Sequence, residues 1–268
     1  MKNAKILFIC SEIAPYLPES EISSICRQLP QAIQEMGNEI RTFVPHYGCI
    51  NDRRHQLHEV IRLSGINLII DDNDHPLVIK VASISAARMQ VYFIDNEDFF
   101  RRKQLFFDDN GKAFADNDER AIFYARGALE TVKKLQWIPD IIHCHGWFTY
   151  MVPLFLKQTY KDDILSNSKV ILSLYSNDRF DGTFSDTVDK KLFCKNVKSK
   201  HIETLMEKPD YEHFAKFAID YSDGIIYGSK RIGKRIDEYV RGTEKQLLEY
   251  HDTKDNPQSY ANFYEKFL

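Results

Sequence analysis

The chain has 268 residues, 43% hydrophobic and 28% charged, with a formal net charge of −3; this is ample for one large globular domain and excludes a disordered polymer. It has no overall basic field to draw nucleic acid, and no stretch approaches the roughly 20 apolar residues of a membrane span. Five cysteines without a Cys-x-x-Cys pair give neither a disulfide framework nor a metal site, and the N-terminal apolar run is too short for a signal peptide, so a reducing cytoplasm is the expected setting.

In chain order, Lys5 to Cys10 is an apolar run, after which Ile22, Ile25, Cys26, Leu29 and Ile33 recur at helical spacing. That predicts strand, turn and amphipathic helix. Such an opening suits phosphate binding when the turn carries glycines, because backbone N–H groups cradle a phosphate only where no side chain blocks the approach. Here the turn reads Pro18, Glu19, Ser20, Glu21. A second strand, "EIRTFVP", and a polar loop, "HYGCINDRRHQ", follow. Then "LHEVIRLSGINLIID", "PLVIKVASIS" and "MQVYFIDN" read as neighbouring strands with at least one antiparallel pair. Residues 97–118 read as loop, and the basic runs "DRRH" and "FFRRKQ" as solvated surface. The clearest helix is "NDERAIFYARGALETVKKLQ", with Asn117 or Asp118 placed to cap it. Finally "PDIIHCHG", "KVILSLYS" and "DGIIYGS" each give a short buried strand leading into a helical segment. The alternation predicts an α/β fold around a mostly parallel sheet covered on both faces. One domain over residues 1–240 and a helical tail over 241–268 are expected, the tail as a helix, a turn at Asn256 and Pro257, and a short aromatic helix. Its Leu247, Leu248, Tyr260, Phe263, Tyr264 and Phe267 are too many large apolar groups for a solvated extension, so it should dock on the domain or form a homodimer contact.

Five blocks, "KILFICSEIAPY", "RQLPQAIQEMGNEIRTFVPHYG", "DNDERAIFYARGALE", "WIPDIIHCHGWFTYMVPLFLK" and "FAKFAIDYSDGIIYGSKRIGKRI", resemble in order the N-terminal half of bacterial glycogen synthases and plant starch synthases. The resemblance spans almost the whole chain. It implies the N-terminal, Rossmann-like half of a glycosyltransferase-B fold, a domain that in the family faces a second one across a cleft. It also implies transfer of glucose from ADP-glucose to an α-1,4-glucan, with no metal or other cofactor. In the family the final helix crosses back from the second domain to pack on the first.

The departures from the pattern are specific. The family's Lys-Thr-Gly-Gly turn corresponds to Pro18, Glu19, Ser20 and Glu21, where two carboxylates would repel a diphosphate by roughly a few kcal/mol. The family's His-Asp-Trp becomes His145, Gly146, Trp147; the Thr-Ile/Val-His-Asn block places Ser176 at its histidine and keeps Asn177; Tyr-Gln-Gly is echoed in Phe180, Asp181 and Gly182. The resemblance also makes the chain end where the family's second domain would begin. Cleft-face candidates by family position are His145, Trp147, Asp116, Asn117, Ser176 and Asn177. Two readings stand for most of them. Ser20 caps a helix with Glu19 and Glu21 at its positive end, or the turn receives a cationic or hydroxyl-rich ligand. His143 and His145 are read on opposite faces of their strand, the first structural and the second a contact to sugar. Asp116, Asn117, Asp118 and Arg120 cap the long helix or touch sugar. Tyr47, Trp147, Phe148 and Tyr150 pack in the core or stack on glucan rings. Three functions follow as expectations: a relative inactive alone that binds α-glucan or oligosaccharide or has a regulatory role; half of a split active transferase whose C-terminal domain is a separate chain, or of a truncated one; or a protein-interaction module.

Overall fold

The computed structural model describes residues 3–161, 163–192 and 194–268. Strand β1 (Lys5–Cys10) is apolar on both faces and buried beyond its first residue, as a central parallel strand must be. It pairs in parallel with β2 (Glu39–Pro45) on one side and β7 (Ile141–His145) on the other. β6 (Met89–Asp95) continues the parallel run beyond β2, and β8 (Lys169–Leu174), β9 (Gly224–Tyr227) and β10 (Gln246–Leu248) continue it beyond β7. β5 (Asn73–Ile84) lies antiparallel to β6 and carries β3 (His58–Glu59) and β4 (Ile66–Ile70) antiparallel along it. The order is β10-β9-β8-β7-β1-β2-β6-β5-β3, with β4 on β5. The connections diverge to opposite sides of the sheet between β1 and β7, and such a point opens a crevice at the carboxyl ends of the strands.

The helices among the described residues are α1 (Glu21–Glu35), α2 (Asp52–His55), α3 (Glu97–Phe100), α4 (Asn117–Lys134), α5 (Val152–Gln158), α6 (Val188–Leu192), α7 (Glu203–Glu207), α8 (Tyr211–Tyr221), α9 (Lys234–Gly242) and α10 (Pro257–Tyr264). α1 begins where its sequence says. The Ser23 N–H donates to Ser20 Oγ at 3.0 Å and the Ser20 N–H to Ser23 Oγ at 2.7 Å, a reciprocal cap, while Ile22, Ile25, Cys26, Leu29 and Ile33 are buried. Two single turns, α2 and α3, lie in segments read as loop; Asn51 and Asn96 cap them, and four residues carry no detectable period.

α4 departs from its expected cap. Asp116 holds the cap position without a capping hydrogen bond and pairs instead with Arg102. The Asp118 carboxylate takes Lys191 Nζ at 3.1 Å and the Ser185 hydroxyl at 2.8 Å. Arg120 is fully buried, donating from Nε to the Phe99 carbonyl at 2.8 Å and from Nη1 to the Leu105 carbonyl and Asn117 Oδ1, both at 2.7 Å. These bonds pin the 99–106 loop against α4. Burial lowers the Arg120 pKa to about 10, still leaving it charged.

The tail differs from expectation in its first part. Residues 246–248 form a strand, not a helix, because the open edge of β9 takes Leu247 and Leu248 into register with Ile225 and Ile226. α10 then buries Tyr260, Phe263 and Tyr264, each contributing roughly 1.5–3 kcal/mol before ordering costs. Phe267 lies over Gly224, where a Cβ would come within 2.5 Å of its ring, and the Tyr264 hydroxyl sits 2.7 Å from His143 Nδ1.

Candidate functional site

A cavity of about 370 Å³ opens at the crevice. The exit of β1 supplies Glu12 and the following turn Ser20 and Glu21; the exit of β7 supplies Trp147; the exit of β8 supplies Tyr175, Asn177, Asp178 and Arg179; the loop pinned by Arg120 brings Phe106 and Phe107. Its polar wall is mainly carboxylate. Asp178 is 7% exposed and accepts the Trp147 backbone N–H at 2.6 Å. Burial pushes its pKa up to about 8 against the opposing effect of that N–H, and the nearby Glu12 carboxylate pushes the same way. Burial likewise raises Glu12, which the Ser20 hydroxyl partly offsets by donating to Glu12 Oε2 at 2.8 Å. Glu21 accepts from the Ser229 hydroxyl at 2.6 Å.

The turn carries a side-chain cap. Ser20 and Ser23 each accept the other's backbone N–H, so two of the N–H groups at the start of α1 are already paired. Pro18 and Glu19 are exposed on the outer side of the turn. Gly146 has φ 88° and ψ 149°, and a Cβ there would lie 2.1 Å from Ser11 Oγ.

Of the residues singled out from the sequence, Ser20, Glu21, Trp147 and Asn177 meet in this cavity. Ser176 faces a neighbouring cavity of about 280 Å³. His145 does not reach either one. It is fully buried, and its Nδ1 lies 2.6 Å from the hydroxyl of Tyr175, which stands at the cavity wall in its place. The expectation of opposite faces for His143 and His145 fails as well, since residues two apart on a strand share a face; their ring centroids are 3.9 Å apart. Burial holds both imidazoles neutral, His145 down to about 3. Asp116 and Asn117 serve the loop, through Arg102 and through Asn117 Nδ2 donating to the Phe106 carbonyl at 2.9 Å. Tyr47, Phe148 and Tyr150 are fully buried and belong to the core, so they present no ring to a glucan. Glu12, Tyr175, Asp178 and Arg179 were not singled out. Glu12 stands in the quoted Ser-Glu-x-x-Pro block and Asp178 directly follows Asn177, so both were within reach of the block alignment. Among the described residues no group of three His, Cys, Asp or Glu is placed to hold a metal ion, and no helix is long and apolar enough to cross a membrane.

The family profile of the starch synthase catalytic domain matches residues 5–248. The chain belongs to that family. The glycogen synthase of Chlorobium limicola is 34% identical over 259 residues, covering 93% of this chain and 52% of the relative. That of Chlorobium luteolum is 37% identical over 198 residues, 73% of this chain and 40% of the relative. The starch synthase-type domain thus spans about half the length of the curated relatives it matches. The catalytic domain of starch synthase IV from Arabidopsis thaliana, solved with ADP and acarbose, superposes with a TM-score of 0.77 at 19% identity, over 95% of this chain and 53% of that one. The fold is accordingly the N-terminal half of a glycosyltransferase-B architecture.

Proposed function

We propose that this starch synthase-type domain holds a neutral saccharide in the carboxylate-lined cavity and does not transfer glucose from ADP-glucose. One observation carries the reading: the turn after β1 presents Glu21 to the cavity and closes the start of α1 with its own serines. A donor diphosphate would meet carboxylate where the family supplies lysine and bare backbone. Sugar hydroxyls face no such penalty, because a carboxyl group held near its protonated form both donates and accepts hydrogen bonds. Phe107, half-buried at the cavity, adds an apolar edge suited to a pyranose face. A relative of this fold was solved with ADP and acarbose, so a saccharide ligand is compatible with the architecture.

Two measurements test this together. Calorimetric titration should show binding of maltotriose and longer maltooligosaccharides with no heat from ADP-glucose, and labelled ADP-glucose should leave no label in glycogen. Steady incorporation of label that disappears in Glu12→Gln would overturn the proposal.

A further inference from the structure

The carboxylate-lined cavity shares Tyr175 and Arg179 with its neighbour of about 280 Å³, and the polar wall of that second space has the opposite sign. It carries Arg179, Lys234 and Arg235 against the single carboxylate of Glu212. Arg235 donates to Glu212 at 3.1 Å, and Glu212 is also taken by Lys216 at 2.7 Å. Lys234 reaches Glu238 only at 3.7 Å with 88% of its side chain exposed. Arg179 is exposed and makes no ion pair among the described residues. Gly233, at the cap of α9, provides no side-chain acceptor for the start of that helix.

We propose that the two cavities form one site for a phosphorylated saccharide, with the sugar among the carboxyl groups, the phosphate monoester between Lys234 and Arg235, and Arg179 bridging the two. This rests on the saccharide reading of the first cavity. Arg179 stands at the junction without an ion pair among the described residues, and a dianionic phosphate, unlike a neutral oligosaccharide, takes charge-assisted, bidentate donors from arginine. A nucleotide sugar fits less well. Its phosphates are flanked by sugar and nucleoside, so they would be drawn toward Glu12 and Glu21, on the acidic side of the junction.

The test is titration of the purified chain with glucose, maltotriose, α-glucose 1-phosphate, glucose 6-phosphate and inorganic phosphate, each at low and high salt. At least one phosphorylated hexose should bind about ten-fold or more tighter than both glucose and inorganic phosphate, and that preference should shrink as salt rises. Lys234→Glu, at an exposed position, should bring the ratio of phosphorylated to unphosphorylated affinity near one. If phosphorylated hexoses bind no better than glucose while maltotriose binds, the phosphate assignment is overturned and the saccharide reading stands. If no saccharide binds, both are overturned. Binding of inorganic phosphate alone, undiminished in Lys234→Glu, means an adventitious ion only and also overturns the proposal.

Discussion

At Gly146 the backbone sits at φ 88° and ψ 149°, a region open essentially to glycine, and Ser11 Oγ occupies the space a Cβ would need. Gly146→Asp, which introduces the residue that the resemblance implies at this position, should therefore destabilise by about 2–5 kcal/mol, read as a lower denaturant midpoint at unchanged slope. Asp178 makes a prediction of opposite sign. Its folded pKa is raised from 3.8 to about 8, so the unfolded chain ionises first as pH rises; the stability present below pH 3.8 is lost progressively up to about pH 8. Asp178→Asn removes that loss while its amide oxygen still accepts the Trp147 N–H. The variant should match the parent near pH 4 and exceed it by about 1 kcal/mol or more at pH 7.5, a rise of roughly 2–4 °C in Tm, with weaker saccharide binding. That Trp147, Asn177, Ser20 and Glu21 line the crevice was within reach of the sequence, because each stands in or beside a motif whose order along the chain is informative. Asp178, beside Asn177, was equally within reach by position, but its raised pKa was not, because that comes from burial beside Glu12, a neighbour 166 positions away in sequence.

Among the elements, α1 was fully legible, its cap, acidic first turn and apolar stripe all being local. Ser20→Ala should cost about 1 kcal/mol of stability through the lost cap. It also strips Glu12 of the hydroxyl that donates to it, so the loss measured by denaturation should be larger above the Glu12 pKa than below it. β10 was not legible. Three residues carry no period, and Leu247 and Leu248 are extended only because β9 offers an edge to pair with. The aromatic character of α10 could be read, but not its seat: Tyr264 finds His143, and His143 Nε2 in turn lies 2.7 Å from Ser173 Oγ. A buried chain of three polar groups on three elements has no signature in any one of them.

For the molecule as a whole, alternation of apolar runs and helical periods announced a parallel sheet, while strand order depended on pairings no local pattern encodes. The tail is part of that sheet and of its cover. Truncation after Val240 removes β10 and α10, uncovers Gly224 and leaves His143 Nδ1 without its hydroxyl partner. The shortened chain should melt at least 10 °C lower or populate oligomers, judged by calorimetry and light scattering; an unchanged Tm and mass would show that the tail is an appendage. The placement of β1 carries a further consequence. Its Ile6 pairs with Ile40 across one helical connection but with Ile141 across about half the chain, so one side of the strand assembles early and the other must wait for a distant partner. During that wait Ile6, Phe8 and their neighbours form an unsealed, apolar edge able to recruit the same edge of another nascent chain. Yield of soluble protein, more than the stability of what has folded, should then be the property most sensitive to the temperature of expression.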